Sequence, residues 1–179
     1  MKRNVIVFGL ISGLIISAIM GTLMAIYKNN PDLEGSMMVG YAAMIVAFSF
    51  VFIGTKNYRD KYNSGFITFG KAFRLGLYIT LIASTMYVIM WVIEYYLFMP
   101  DFMDKYSEHI IKGLHESGAS QADIDQKMLE MGKYKEMYKN PVFVVLLTYA
   151  EILPIGILIT LISSFILKRK PKGGTAEIA

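Results

Sequence analysis

Residues 141–167 read PVFVVLLTYAEILPIGILITLISSFIL. The run holds 27 residues and a single carboxylate, Glu151, in an otherwise apolar, small or hydroxyl-bearing segment. As a helix it is about 40 Å long, against roughly 30 Å of bilayer hydrocarbon. Asn140-Pro141 predicts the start, with Asn as N-cap and Pro at the first helical position, where its missing N–H costs nothing. Lys168-Arg169-Lys170 ends the span in water. Counted back from Lys168, Glu151 sits about 25 Å from the inner boundary, in the outer part of the hydrocarbon. Pro154 donates no hydrogen bond, so the Ala150 carbonyl is released beside Glu151, and Thr148 and Gly156 crowd the same segment.

Three further runs reach spanning length: Val5–Tyr27, Met37–Gly54 and Leu75–Phe98. With 55% apolar residues and a mean hydropathy of +0.46 in 179 residues, the chain reads as one four-span membrane domain covering 1–179. Met1-Lys2-Arg3 before the first run resembles the opening of a signal peptide. The run exceeds the usual 7–15-residue hydrophobic region and no A-x-A site follows, so it is expected to stay as the first span. Cysteine is absent, which excludes disulfides, thiolate catalysis and Cys-type zinc sites.

Small residues mark where helices approach. Gly9, Gly13, Ser17 and Gly21 recur every four residues, a face that lets another backbone come close. Packing within the chain is expected there, with homodimerisation as the alternative. The third span carries Gly76, Thr80 and Ser84; the fourth carries Gly156, Thr160 and Ser164 at matching spacing. An inverted repeat of that kind would point to a transporter, but nine residues from a low-variety membrane alphabet read as chance.

Residues 100–139 are the one polar segment of size. Phe102, Tyr106, Ile110 and Leu114 predict one amphipathic helix, with Glu108 set to pair Lys112. Ser120 and Asp123 form a capping-box pattern before a second stripe of Ile124, Met128, Met131, Tyr134 and Tyr138. The two stripes are expected to pack as a helical hairpin. His109 and His115 lack ligand spacing, so no metal or other cofactor is expected.

Charge placement sets orientation. The N-terminus, the 55–74 connection and the 168–179 tail hold 2, 5 and 4 Lys or Arg; the hairpin holds 6 among 8 acids. Basic residues are denser on the first set, so both termini are expected in the cytoplasm and the hairpin outside. The basic tail is then a stop-transfer flank and not a nucleic-acid site.

Glu34-Gly-Ser-Met, Lys56-Asn-Tyr-Arg-Asp-Lys61, Phe69-Gly-Lys-Ala-Phe73 and Glu151-Ile-Leu-Pro-Ile-Gly156 resemble the bacterial membrane family Domain of Unknown Function 4199 over essentially the whole chain. The resemblance implies an inner-membrane protein of the Bacteroidetes type, with no assigned activity or site.

The fold expected is an all-α integral membrane protein of four transmembrane helices with an extracytoplasmic hairpin between spans three and four. No reaction motif is present: the outer candidates Glu94, Asp101, Asp104 and His109 have no spacing that demands chemistry. The expected role is a non-enzymatic scaffold or accessory protein whose partners are the bilayer, a second copy or another membrane protein. The alternative is a proton- or ion-coupled transporter or channel using Glu151. Its candidate polar site comprises Glu151, Pro154, Thr148 and Glu94, with Tyr41 and Tyr87 at matched depth; an unpaired charge there costs several kcal/mol.

Overall fold

A computed structural model describes residues 1–29 and 37–170. Among these the chain is helical: α1 (Lys2–Asn29), α2 (Met37–Tyr62), α3 (Phe69–Ile93), a π-helical turn (Glu94–Phe98), α4 (Phe102–Glu116), α5 (Gln121–Tyr138) and α6 (Pro141–Leu167). No strand occurs among the described residues; an isolated bridge joins Ile67 to Arg169. Four segments, Lys2–Ile26, Met38–Tyr62, Phe69–Phe98 and Pro141–Leu167, are long and apolar enough to cross a membrane. The connection between the first two apolar runs and the end of the basic tail lie outside the described residues, as does most of the Glu34-Gly-Ser-Met motif.

The fourth span has the bounds read from the sequence, and Asn140 Oδ1 accepts the Val142 N–H at 2.9 Å as its cap. The second differs. The segment from Lys56, read from the sequence as the start of the 55–74 connection, continues α2 to Tyr62. No Gly or Pro interrupts it before Gly65, and buried Tyr58 holds its last turns against the core. The reversal comes at Ser64 (φ 54°) and Gly65 (φ 80°), where the Gly65 N–H bonds back to the Arg59 carbonyl at 2.9 Å. That is the left-handed close of a helix, which glycine makes without a Cβ penalty. The first span is likewise longer than read, and the third begins six residues earlier, at Phe69.

The chain forms two compact units, Met1–Tyr87 with Glu151–Ala179, and Val88–Ala150. In the first, Val5 and Ile16 of α1, Ala47, Phe48 and Val51 of α2, Leu75 and Ile79 of α3, and Ile152 of α6 share one core.

In the second unit α4 packs on α5. Ser120 caps α5, its Oγ accepting the Asp123 N–H at 3.3 Å. The buried stripe is narrower than expected: Met103, Ile124 and Met131 are buried, whereas Tyr106, Met128 and Tyr134 are exposed. Two helices alone cover only a seam of each other, so the flanks of each stripe stay open. Lys112 pairs with Glu116 at 3.7 Å and not with Glu108, Lys127 pairs with Glu130, and Lys135 bridges to Asp104 across the two helices. Such exposed pairs add little stability.

Candidate functional site

Inside the first unit, glycines set the spacing of the helices. A Cβ at Gly9 would meet Ile82 Cβ at 2.8 Å, and one at Gly13 would meet Met86 Cβ at 3.0 Å, so this face of α1 presses on α3. Ser17 and Gly21 continue it as half-buried positions, and the buried Ser17 Oγ has no hydrogen-bond partner among the described residues. On the α2 side, Asn4 Nδ2 donates to the Gly54 carbonyl and Ser12 Oγ to the Ala47 carbonyl, each at 2.7 Å.

α3 and α6 meet through a reciprocal clasp. A Cβ on Gly76 would strike Thr160 Cγ2 at 2.9 Å; one on Gly156 would strike Thr80 Cγ2, with Phe48 Cζ also at 2.9 Å. Between the two contacts the Thr80 and Thr160 hydroxyls share a hydrogen bond of 2.9 Å. Each glycine thus receives the other helix's threonine. The near-repeat of Gly76–Ser84 and Gly156–Ser164, which composition alone made look accidental, is the two halves of one interface. Its function is packing, since the match extends no further along either span.

The residues of the candidate polar site fall in both units. In the first, Glu151 and Pro154 lie on the exposed side of α6 with Leu158 and Ile162. Tyr41 is exposed on α2, and Tyr87 is half-buried on α3. In the second, Glu94 is 5% exposed and its Oε2 has no hydrogen-bond partner among the described residues. It opens the π-turn, in which the Met99 N–H reaches the Glu94 carbonyl at 2.9 Å. Thr148 is buried, its Oγ1 donating to the Val144 carbonyl at 2.7 Å.

Rings frame that turn. Trp91 and Phe102 meet edge to face at 4.9 Å, Tyr95 and Tyr138 at 5.3 Å, and Tyr95 and Tyr96 at 4.9 Å. Indole and phenol rings favour the boundary between hydrocarbon and headgroups, where one end stays apolar and the other finds a partner. Tyr96 does so by donating to the Tyr138 carbonyl at 3.5 Å.

Sequence reasoning missed Asn4, Ser12 and the Thr80–Thr160 pair. The clasp was the legible one: glycine and threonine four apart on two spans of opposite direction. Among the described residues no group of three or more His, Asp or Glu is placed to hold a metal. Among the described residues the buried polar groups of the first unit are Asn, Ser and Thr, and several of them join helices.

A family model described as "Protein of unknown function (DUF4199)" matches residues 7–169. No curated protein and no solved structure matches.

Proposed function

The chain belongs to the DUF4199 family, and we propose that it is a multi-pass protein of the bacterial inner membrane with a non-enzymatic scaffold or accessory role. One observation carries the reading. Among the described residues, the polar side chains buried in the first unit, Asn4, Ser12, Thr55, Thr80, Ser84, Thr160, Ser163 and Ser164, include no carboxylate, histidine or cation. Several of them join one helix to the next, as side-chain hydrogen bonds do inside a bilayer. A bundle built this way holds a shape. Its outward working surface is then the amphipathic α4–α5 pair, offered to another membrane protein or a second copy. The density of Lys and Arg in the N-terminus, the 55–74 connection and the tail supports a topology with these in the cytoplasm and α4–α5 outside.

Because the chain lacks cysteine, single substitutions Ser64→Cys and Ser120→Cys report orientation directly. An impermeant thiol reagent applied to intact spheroplasts should label Ser120→Cys and spare Ser64→Cys; the reverse pattern inverts the topology. The second reading, proton or ion coupling through Glu151, draws on a carboxylate set at membrane depth on α6. Protein in liposomes should leave an imposed pH gradient intact under the scaffold reading. Dissipation that Glu151→Gln abolishes would replace that reading with the coupled one.

A further inference from the structure

At one end of the first unit the last turn of α6, the end of α2 and the start of α3 are tied together. Ile67 and Arg169 exchange backbone hydrogen bonds of 3.0 and 2.8 Å, and Arg59 Nη1 donates to the Leu167 carbonyl at 3.4 Å. Lys71 donates to Asn63 Oδ1 at 2.6 Å and lies 5.1 Å from the Tyr58 ring centre. These ties fix the position of the chain that carries Lys168, Arg169 and Lys170.

The charge at this end is one-sided. Asp60 and Glu151 are the carboxylates among the described residues of the unit, and Asp60 is held by Arg59 at 2.6 Å. Lys56 and Arg169 lie close enough to act on the Asp60 charge, yet both are exposed, as are Lys168 and Lys170. Arg59 and Lys71 are engaged within the protein, whereas Lys56, Lys168, Arg169 and Lys170 face outward, as do Lys61 and Arg74 on the neighbouring helix ends, so cations remain for an outside anion.

Directly beside them is an apolar wall. Lys168 Nζ sits 4.9 Å from the centre of the Phe165 ring, which lies 4.7 Å from Phe69, which in turn stacks on Phe73 at 6.0 Å. Phe165 is 57% exposed. Rings on the span side and ammonium and guanidinium groups at its end match an amphiphile with an anionic head and an apolar tail. A soluble anion would use the cations and leave the rings idle.

We propose that this corner is a binding site for an acidic phospholipid. Lys168 and Arg169, with Lys56 beside them, hold the phosphate, while an acyl chain lies along Phe165, Phe69 and Phe73. The site rests on the reading of α3 and α6 as membrane spans. It adds to that reading a stationary lipid, positioned by the Ile67–Arg169 bridge. Because the bridge is made by backbone atoms, side-chain substitutions at Arg169 leave it in place.

The test is thermal unfolding of the full chain in neutral detergent, titrated with phosphatidylglycerol, phosphatidylcholine or inorganic phosphate. Phosphatidylglycerol should raise the midpoint and the other two should not. Each basic residue near a membrane surface contributes about a fivefold affinity, so Lys168→Gln with Arg169→Gln should raise the half-effective lipid concentration roughly 30-fold. The charge-conserving pair Lys168→Arg with Arg169→Lys should respond as the wild type does, and so should Lys133→Gln on α5. Equal shifts with both lipids, or a wild-type response from the double Gln variant, overturns the site. A shift with phosphate alone also overturns it, in favour of a soluble anion. Failure of the span reading would show separately, as release of the unmodified chain from alkali-washed membranes.

Discussion

Gly156→Ala adds one methyl group at the tightest point of the clasp. The new Cβ would run into Thr80 Cγ2 and would stand 2.9 Å from Phe48 Cζ. Thr80 cannot turn its methyl away without moving Oγ1, which is bonded to Thr160 Oγ1 at 2.9 Å. Overpacking of this kind costs about 1–3 kcal/mol, and an interhelical hydrogen bond in a membrane adds about 0.6 kcal/mol when lost. Against these stands a gain of about 1 kcal/mol from replacing glycine within a helix. The net expectation is a loss of about 0.5–2.5 kcal/mol, or a fall of about 1–10 °C in Tm for a chain of this length. Circular dichroism of the detergent-solubilised protein reads it. Thr80→Ser removes the methyl and keeps the hydroxyl, so in the Gly156→Ala background it should recover roughly half the loss, a coupling of about 1 kcal/mol. Gly76→Ala with Thr160→Ser is the mirror experiment, because Thr160 Cγ2 faces Gly76 at 2.9 Å. If Gly156→Ala melts with the wild type, or Thr80→Ser deepens its defect, the clasp does not hold α3 to α6.

Gly13→Leu should lower the melting point well below that of Leu14→Ala, since Gly13 abuts Met86 while Leu14 is 61% exposed; equal melting points would place Gly13 on an open face. Ser120→Ala removes the cap of α5 and should cost about 1 kcal/mol of hairpin stability, read as lost helicity on heating. The Asp104 carboxylate beside Lys135 holds its ammonium above the usual 10.5. A raised folded value means the stabilisation is complete below the unfolded value and disappears as pH climbs through the folded one. Helix content of α4–α5 should therefore fall on alkaline titration above about pH 10.5, and Lys135→Gln should remove that component; an unchanged titration in the variant assigns the fall to other groups.

The spans were legible because hydrophobic length is a one-dimensional property. Pro141 to Leu167 is bounded by Asn-Pro on one side and three cations on the other, and no tertiary contact was needed to find either end. The end of α2 was less legible, because Lys56 to Tyr62 has the composition of a loop and its helicity depends on Tyr58 being buried by other helices. The α4 and α5 stripes were found, but periodicity gives their direction only to within a residue. Packing against a single neighbour then selected Met103 and Ile124 over Tyr106 and Tyr134. For the polar site, depth could be counted along the helix but azimuth could not. Glu94 and Glu151 are both acids on long apolar helices, yet one is enclosed and the other is exposed.

The tie between Arg59 and the Leu167 carbonyl joins residues 108 positions apart, and the Ile67–Arg169 bridge beside it spans a similar interval. During synthesis at about 5–20 residues per second, the first partner waits roughly 5–20 s for the second. Through that interval Arg59, Ile67 and the Thr80 hydroxyl have left the ribosome without Leu167, Arg169 and Thr160, which complete them. The contacts that α6 makes with α2 and α3 therefore close late, when α6 arrives. A chain truncated before Pro141 would lack α6 and would leave open the faces that Ile152 and Thr160 cover.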